Sequence, residues 1–139
     1  MAQAGQEIQG IGHTLLLVSI DDELLVMEAA YEGSGTLPPE HLHPHQAEHF
    51  DVLEGELRTV IGTEERRYGQ GETFDVPAGT PHQMGAERPA RVRWEVRPAL
   101  RTAEFFERLY GDGPDSPRDA ASAEAFFAEF SDEFRLTGT

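Results

Sequence analysis

The stretch GTLPPEHLHPHQAEHFDVLEG (residues 35–55) concentrates the chemistry of this chain. His41, His43 and His45 fall almost together, with His49 close behind. His41 and His43 are two apart, so on a strand their imidazoles point to one face. Pro44 interrupts the run, and a bend there brings the Glu48 carboxylate back to that face. A second stretch, GETFDVPAGTPH (71–82), ends in His82 directly after a Pro/Gly-rich turn. Three imidazoles and one carboxylate with open positions suit a divalent transition metal: Fe, Mn, Zn, Ni, Cu or Co.

Outward from these stretches the chain reads as short strands. HTLLLVSI (13–20) and LLVMEAAYE (24–32) precede the histidines. ELRTVIG (56–62), ERRYG (65–69), ETFDVPAG (72–79), HQM (82–84) and ARVRWEVRP (90–98) follow EHFDVLEG (48–55). Recurrent Gly and Pro between apolar runs indicate an all-β sandwich or barrel. Residues 1–12 are small and polar and read as a mobile or edge segment. Past Pro98 the period changes. TAEFFERLY (102–110) spaces its apolar residues as a helix does, and a second helix is expected up to Phe134. Ser116 is its expected N-cap and Pro117 its first residue. The expected organisation is a β domain over 1–98 and a helical extension over 99–139 packed on it.

The spacing Gly35-x5-His41-x-His43-x4-Glu48-x6-Gly55 resembles the first motif of the cupin superfamily. Gly71-x5-Pro77-x-Gly79-x2-His82 resembles the second. The segment between them is short, as in small single-domain bacterial cupins. One position departs: Ala86 stands where the second motif often carries asparagine, a residue that is not a metal ligand in the family. The resemblance implies an antiparallel β-barrel of the jelly-roll (double-stranded β-helix) type with a metal near one mouth. It implies His41, His43, Glu48 and His82 as the ligands, and glycines Gly35, Gly55, Gly71 and Gly79 at turns. It also implies a homodimer joined through sheet edges.

Parity suggests the pocket walls. Phe50 and Val52 share a face with Glu48, and Met84 shares one with His82. Val92, Trp94 and Val96 alternate with Arg91, Arg93, Glu95 and Arg97, and either set can face inward. Phe50, Met84, Trp94 and His45 are the candidate substrate contacts, with His45 placed at the rim. His49 points away from the metal, His13 reads as structural, and Gln46 as a hydrogen-bonding residue near the pocket.

Composition narrows the chemistry further. The 139 residues carry 26 acids against 11 bases, a formal charge of −15. Such a surface repels phosphate backbones and anionic membranes, so neither is an expected partner. There is no cysteine, which removes thiol nucleophiles and disulfides. There is also no lysine, which removes Schiff-base chemistry. The N-terminal residues lack the character of a signal peptide, and the expected location is cytoplasmic. The expected function is metal-dependent action on a small molecule. Oxygenase chemistry is favoured, with isomerisation, decarboxylation or non-catalytic ligand binding as alternatives and Glu48 as a candidate base. No helix-turn-helix is legible, which disfavours a DNA-binding regulator.

Overall fold

Alternating apolar and polar residues build strands between residues 7 and 97, most of them with one face buried. The computed structural model describes residues 2–35 and 37–137. The strands in chain order are β1 (Glu7–Gln9), β2 (His13–Ile20), β3 (Leu25–Tyr31), β4 (His41–Leu42) and β5 (Ala47–Glu54), followed by β6 (Glu56–Ile61), β7 (Glu64–Gly69), β8 (Thr73–Val76), β9 (His82–Gly85) and β10 (Ala90–Arg97). Helices α1 (Thr102–Leu109) and α2 (Ala120–Glu129) come next, and β11 (Arg135–Leu136) closes the order. The strands form two antiparallel sheets, β1-β2-β3-β10-β5-β8 and β11-β4-β9-β6-β7, in jelly-roll fashion. The N-terminal segment supplies the edge strand β1, paired to β2.

The core is built from the inward faces: Leu15 and Leu17 of β2, Met27 of β3, Phe50 and Val52 of β5, Leu57 of β6, and Val92 and Val96 of β10. Strand β10 therefore turns its apolar face inward. Arg91, Arg93 and Arg97 are exposed. Arg91 pairs with Glu28 and Glu54, each at 3.4 Å, and Arg93 with Glu95 at 3.4 Å. The turns demand special backbone where expected. Gly55 alone joins β5 to β6 with φ 77, and a Cβ there would meet the Pro89 carbonyl oxygen at 2.7 Å.

The C-terminal region departs from expectation in three respects. First, α2 begins at Ala120, capped by Asp119 rather than Ser116. The Asp119 side chain accepts from the Ser122 amide while the Ser122 hydroxyl accepts from the Asp119 amide, a reciprocal capping box that fixes the start. Second, the helix ends at Glu129, and Phe134 lies beyond it. Third, the chain then adds β11, which pairs with β4 at Arg135↔Leu42 and Leu136↔His41. The two helices pack their phenylalanines against one another. Phe105 contacts Phe106, Phe126, Phe127, Phe130 and Phe134 at centroid distances of 4.8–6.2 Å. Gln46 ties the barrel to this layer. Its buried amide nitrogen lies 2.9 Å from the Pro98 and Ala99 carbonyl oxygens and 2.7 Å from the Thr102 hydroxyl.

Phe105 is the hub of that cluster and only 1% exposed. Phe105→Ala is expected to cost about 3–5 kcal/mol of stability, measured by urea unfolding at fixed pH. A cost below ~1 kcal/mol would show that the helices add little to the fold. On the outer face of the six-stranded sheet, His49 sits between Asp75 (2.8 Å) and Asp51 (3.0 Å), with Glu95 opposite it in register and Arg97 nearby in the same cleft. The Asp75 hydrogen bond, with help from Asp51, raises its pKa above the ordinary histidine value. A raised folded pKa adds stability that is complete below the unfolded value and disappears as pH climbs through the folded one. The stability advantage of the natural chain over His49→Gln should therefore be present in mild acid and fade on going alkaline. A difference that stays constant across that range contradicts the assignment.

Candidate metal centre

Strand β4 is short because Pro44 cannot donate to a ladder, and the chain turns at residues 44–45 before β5 begins. That turn lets His41 and His43 sit side by side and brings Glu48 against His43 at one end of the barrel. β9 lies beside β4 with His41 and His82 in register, which brings in the third imidazole. One ring nitrogen from each of His41, His43 and His82 lies within 4.8 Å of the others. Glu48 stands against two of the three. Its Oε1 is 3.3 Å from His43 Nε2 and 3.1 Å from His82 Nε2.

Hydrogen bonds at the far side of each ring set the orientation. His41 Nδ1 lies 3.2 Å from the Pro39 carbonyl oxygen, His43 Nδ1 2.7 Å from that of Glu133, and His82 Nδ1 2.9 Å from that of Thr80. A carbonyl oxygen only accepts, so each Nδ1 carries the proton and each Nε2 presents a lone pair in the neutral ring. The same arrangement, with the outer nitrogen donating and the inner one free, is how histidines are held at metal sites. Glu48 is fixed in turn by Trp94, whose indole Nε1–H donates to Oε2 at 2.7 Å and leaves Oε1 toward the imidazoles.

The site is deep: His82 is 1% exposed, Glu48 2% and His43 4%, while His41 is half-buried. Among the described residues, His43 Nε2 and Glu48 Oε1 have no hydrogen-bond partner. Buried polar atoms without partners are rare and costly. Here they converge on one point, and a cation there would satisfy them together. The electrostatics run the same way. Burial, and then the neighbouring His82 and His43, push His41 down to about 3. Burial opposes ionisation of Glu48, but the adjacent His43 and His82 outweigh it and hold the carboxyl below its ordinary range. Burial likewise opposes protonation of His82, and the Glu48 carboxylate outweighs it. The three imidazoles fit a divalent transition metal, with Glu48 beside two of them.

Of the candidate substrate contacts, Phe50 and Met84 are buried within the barrel and Trp94 is half-buried beside Glu48. Phe50 stacks between Phe74 (4.8 Å) and Trp94 (5.5 Å). His45 is exposed and 3.7 Å from Asp132, so it lies outside this wall. Sequence reading missed the C-terminal contribution. Phe134 stacks on His41 (4.6 Å, 17°), and the Glu133 carbonyl holds His43. A backbone acceptor some 90 residues away leaves no local signature. Only the Phe-rich run near the C-terminus hinted that something there was to be buried.

Residues 27–96 match the family described as Cupin domain. Among solved structures, KdgF from Halomonas sp. is similar, with TM-score 0.63, 21% identity, and coverage of 70% of this chain and 92% of that one. An RmlC-like cupin from Shewanella frigidimarina gives TM-score 0.64 at 18% identity, covering 70% and 87%. Pac13 from Streptomyces, described as a nucleoside dehydratase, gives 0.57 at 18%, covering 67% and 75%. At these identities the likeness bears on fold alone. The sequence has no match among curated proteins. The family match spans half of the chain and contains every residue of the histidine cluster, and this protein belongs to the cupin family.

Proposed function

We propose that this cupin holds one divalent transition metal on His41, His43, His82 and Glu48 and acts through it on a small molecule, as a metal-dependent oxygenase. The observation that carries the reading is the convergence of orphaned polar atoms in the barrel, with each ligand oriented from behind. A metal bound there supplies a Lewis-acidic centre with open coordination positions, at which a chelating substrate and oxygen can meet. The chain's own residues do the rest. The carbonyls of Pro39, Glu133 and Thr80 keep the imidazoles in the Nδ1–H form. Trp94 anchors one Glu48 oxygen and leaves the other to face the cation or to take a proton from substrate. Phe50, Met84 and Trp94 offer an apolar and aromatic wall that excludes water. The arginines of β10 lie on the outside, so this wall suits a neutral or metal-chelating substrate better than a phosphate ester.

The near-complete burial of three ligands favours a second reading, a binding module that traps metal or ligand without turnover. The dimer expected from the family resemblance and a cytoplasmic location belong to the same proposal. Among the described residues no helix is long and apolar enough to cross a membrane.

Ligand variants test the centre. His41→Ala, His43→Ala, His82→Ala and Glu48→Gln should each weaken metal binding by more than the roughly 10–100-fold typical of losing an outer-shell partner. His49→Ala should leave it unchanged, with metal content read by elemental analysis of folded protein. Equal content in all five would overturn the ligand set. For the reaction, the protein loaded with each candidate metal is incubated with catechols and with hydroxy- and keto-acids while oxygen is followed. Metal-dependent oxygen uptake that His82→Ala abolishes is the expected outcome. Product without oxygen uptake points to isomerase or decarboxylase chemistry, and neither product nor uptake with any metal points to the binding module.

A further inference from the structure

The C-terminal residues do more than cover apolar surface. After α2 the chain turns through residues 131–133 and runs back along the metal-binding strand. Three contacts place it there. The Glu133 carbonyl takes the buried Nδ1–H of His43 at 2.7 Å. The Phe134 ring lies flat against His41, the most exposed of the three imidazoles. Strand β11 pairs with β4, and the Thr137 amide donates to the Glu40 carbonyl at 3.1 Å, one residue before His41.

Glu133 is itself an anchor. Its side chain is 5% exposed, its Oε2 accepts from the Arg101 amide at the start of α1 (3.3 Å), and its Oε1 has no hydrogen-bond partner among the described residues. The Arg101 guanidinium is 3.7 Å away. Leaving one oxygen of a buried carboxylate unbonded costs stability. The carboxylate pins the turn to α1 and thereby fixes the carbonyl that His43 needs.

We propose that residues 131–137 are part of the metal centre. Glu133 acts as a positioning residue for His43 and Phe134 closes the centre on the His41 side, so that metal binding and docking of this strap reinforce each other. The inference rests on the metal reading above, and it adds a reciprocal linkage. Whatever the docked strap adds to metal affinity, bound metal adds to strap docking.

Co²⁺ alone is the probe, since its visible absorption reports the ligand geometry. Four full-length or shortened proteins are compared: the natural chain, a chain ending at Phe130, Glu133→Ala and Glu133→Gln. The shortened chain and Glu133→Ala should bind Co²⁺ about 10–100-fold more weakly and with an altered spectrum. Glu133→Gln, which keeps an acceptor for the Arg101 amide, should recover most of both. In the natural chain Co²⁺ should slow hydrogen exchange at Arg135–Thr137. Unchanged affinity and spectrum in a folded shortened chain would overturn the inference, as would exchange at Arg135–Thr137 that ignores the metal. If the shortened chain does not fold, the Glu133 pair decides, and Glu133→Ala binding like the natural chain overturns it. Tight binding by the natural chain with no dependence on the strap removes this inference alone. Failure of the natural chain to bind Co²⁺ removes the metal reading as well.

Discussion

A carboxylate and three imidazoles packed into the end of an apolar barrel are an expensive arrangement unless something holds them together. Ionised Glu48 is nearly without access to water, and its Oε1 faces ring nitrogens rather than a conventional donor. Desolvating such a group costs several kcal/mol if it is left unpaired. The fold brings three imidazoles together, sets Glu48 against two of them, and fixes each from behind. The outer nitrogens of the histidines bond to backbone carbonyls, and the second oxygen of Glu48 bonds to Trp94. Freedom is removed everywhere except on the side where the lone pairs meet. That is the layout the proposed cation site requires, and Trp94, which holds Glu48, is itself stacked on Phe50 and through it on Phe74.

The topology makes this arrangement possible. Register pairing of His41 with His82 across β4 and β9 brings together residues from distant parts of the chain, and the turn at Pro44 adds Glu48 from the start of β5. Strand β10, between β3 and β5, contributes Trp94 from the inner face while Arg91 and Arg93 pair with acids outside. The helical layer is joined to the same region by Gln46 at one end and by β11 at the other. Residues beyond Pro98 are thus bonded to the histidine strand itself.

Much of this was legible from the chain. Alternation marked the strands, and Gly55, Gly71 and Gly79 marked turns, which the structure gives positive φ. The spacing of His41 and His43 put two imidazoles on one face because a strand has a period of two, whereas Glu48, at odd spacing, was reached only through the bend at Pro44 and the motif resemblance. The inward face of β10 was not legible, since alternating Val/Trp and Arg/Glu fit either orientation until the neighbouring strands are known. The start of α2 was misread because Ser116–Pro117 carries a strong capping signature, yet the reciprocal bonds of Asp119 and Ser122 win. The role of Glu133 and Phe134 was not legible at all. It depends on long-range register and on a backbone carbonyl, for which no residue type is diagnostic.

The most direct test of the central claim is anomalous diffraction from crystals grown with Co²⁺ or Zn²⁺. The account predicts one strong peak inside the barrel, within about 2.0–2.2 Å of Nε2 of His41, His43 and His82 and of a Glu48 oxygen. A well-ordered crystal with the ion supplied, no peak there, and the four side chains turned apart would contradict it.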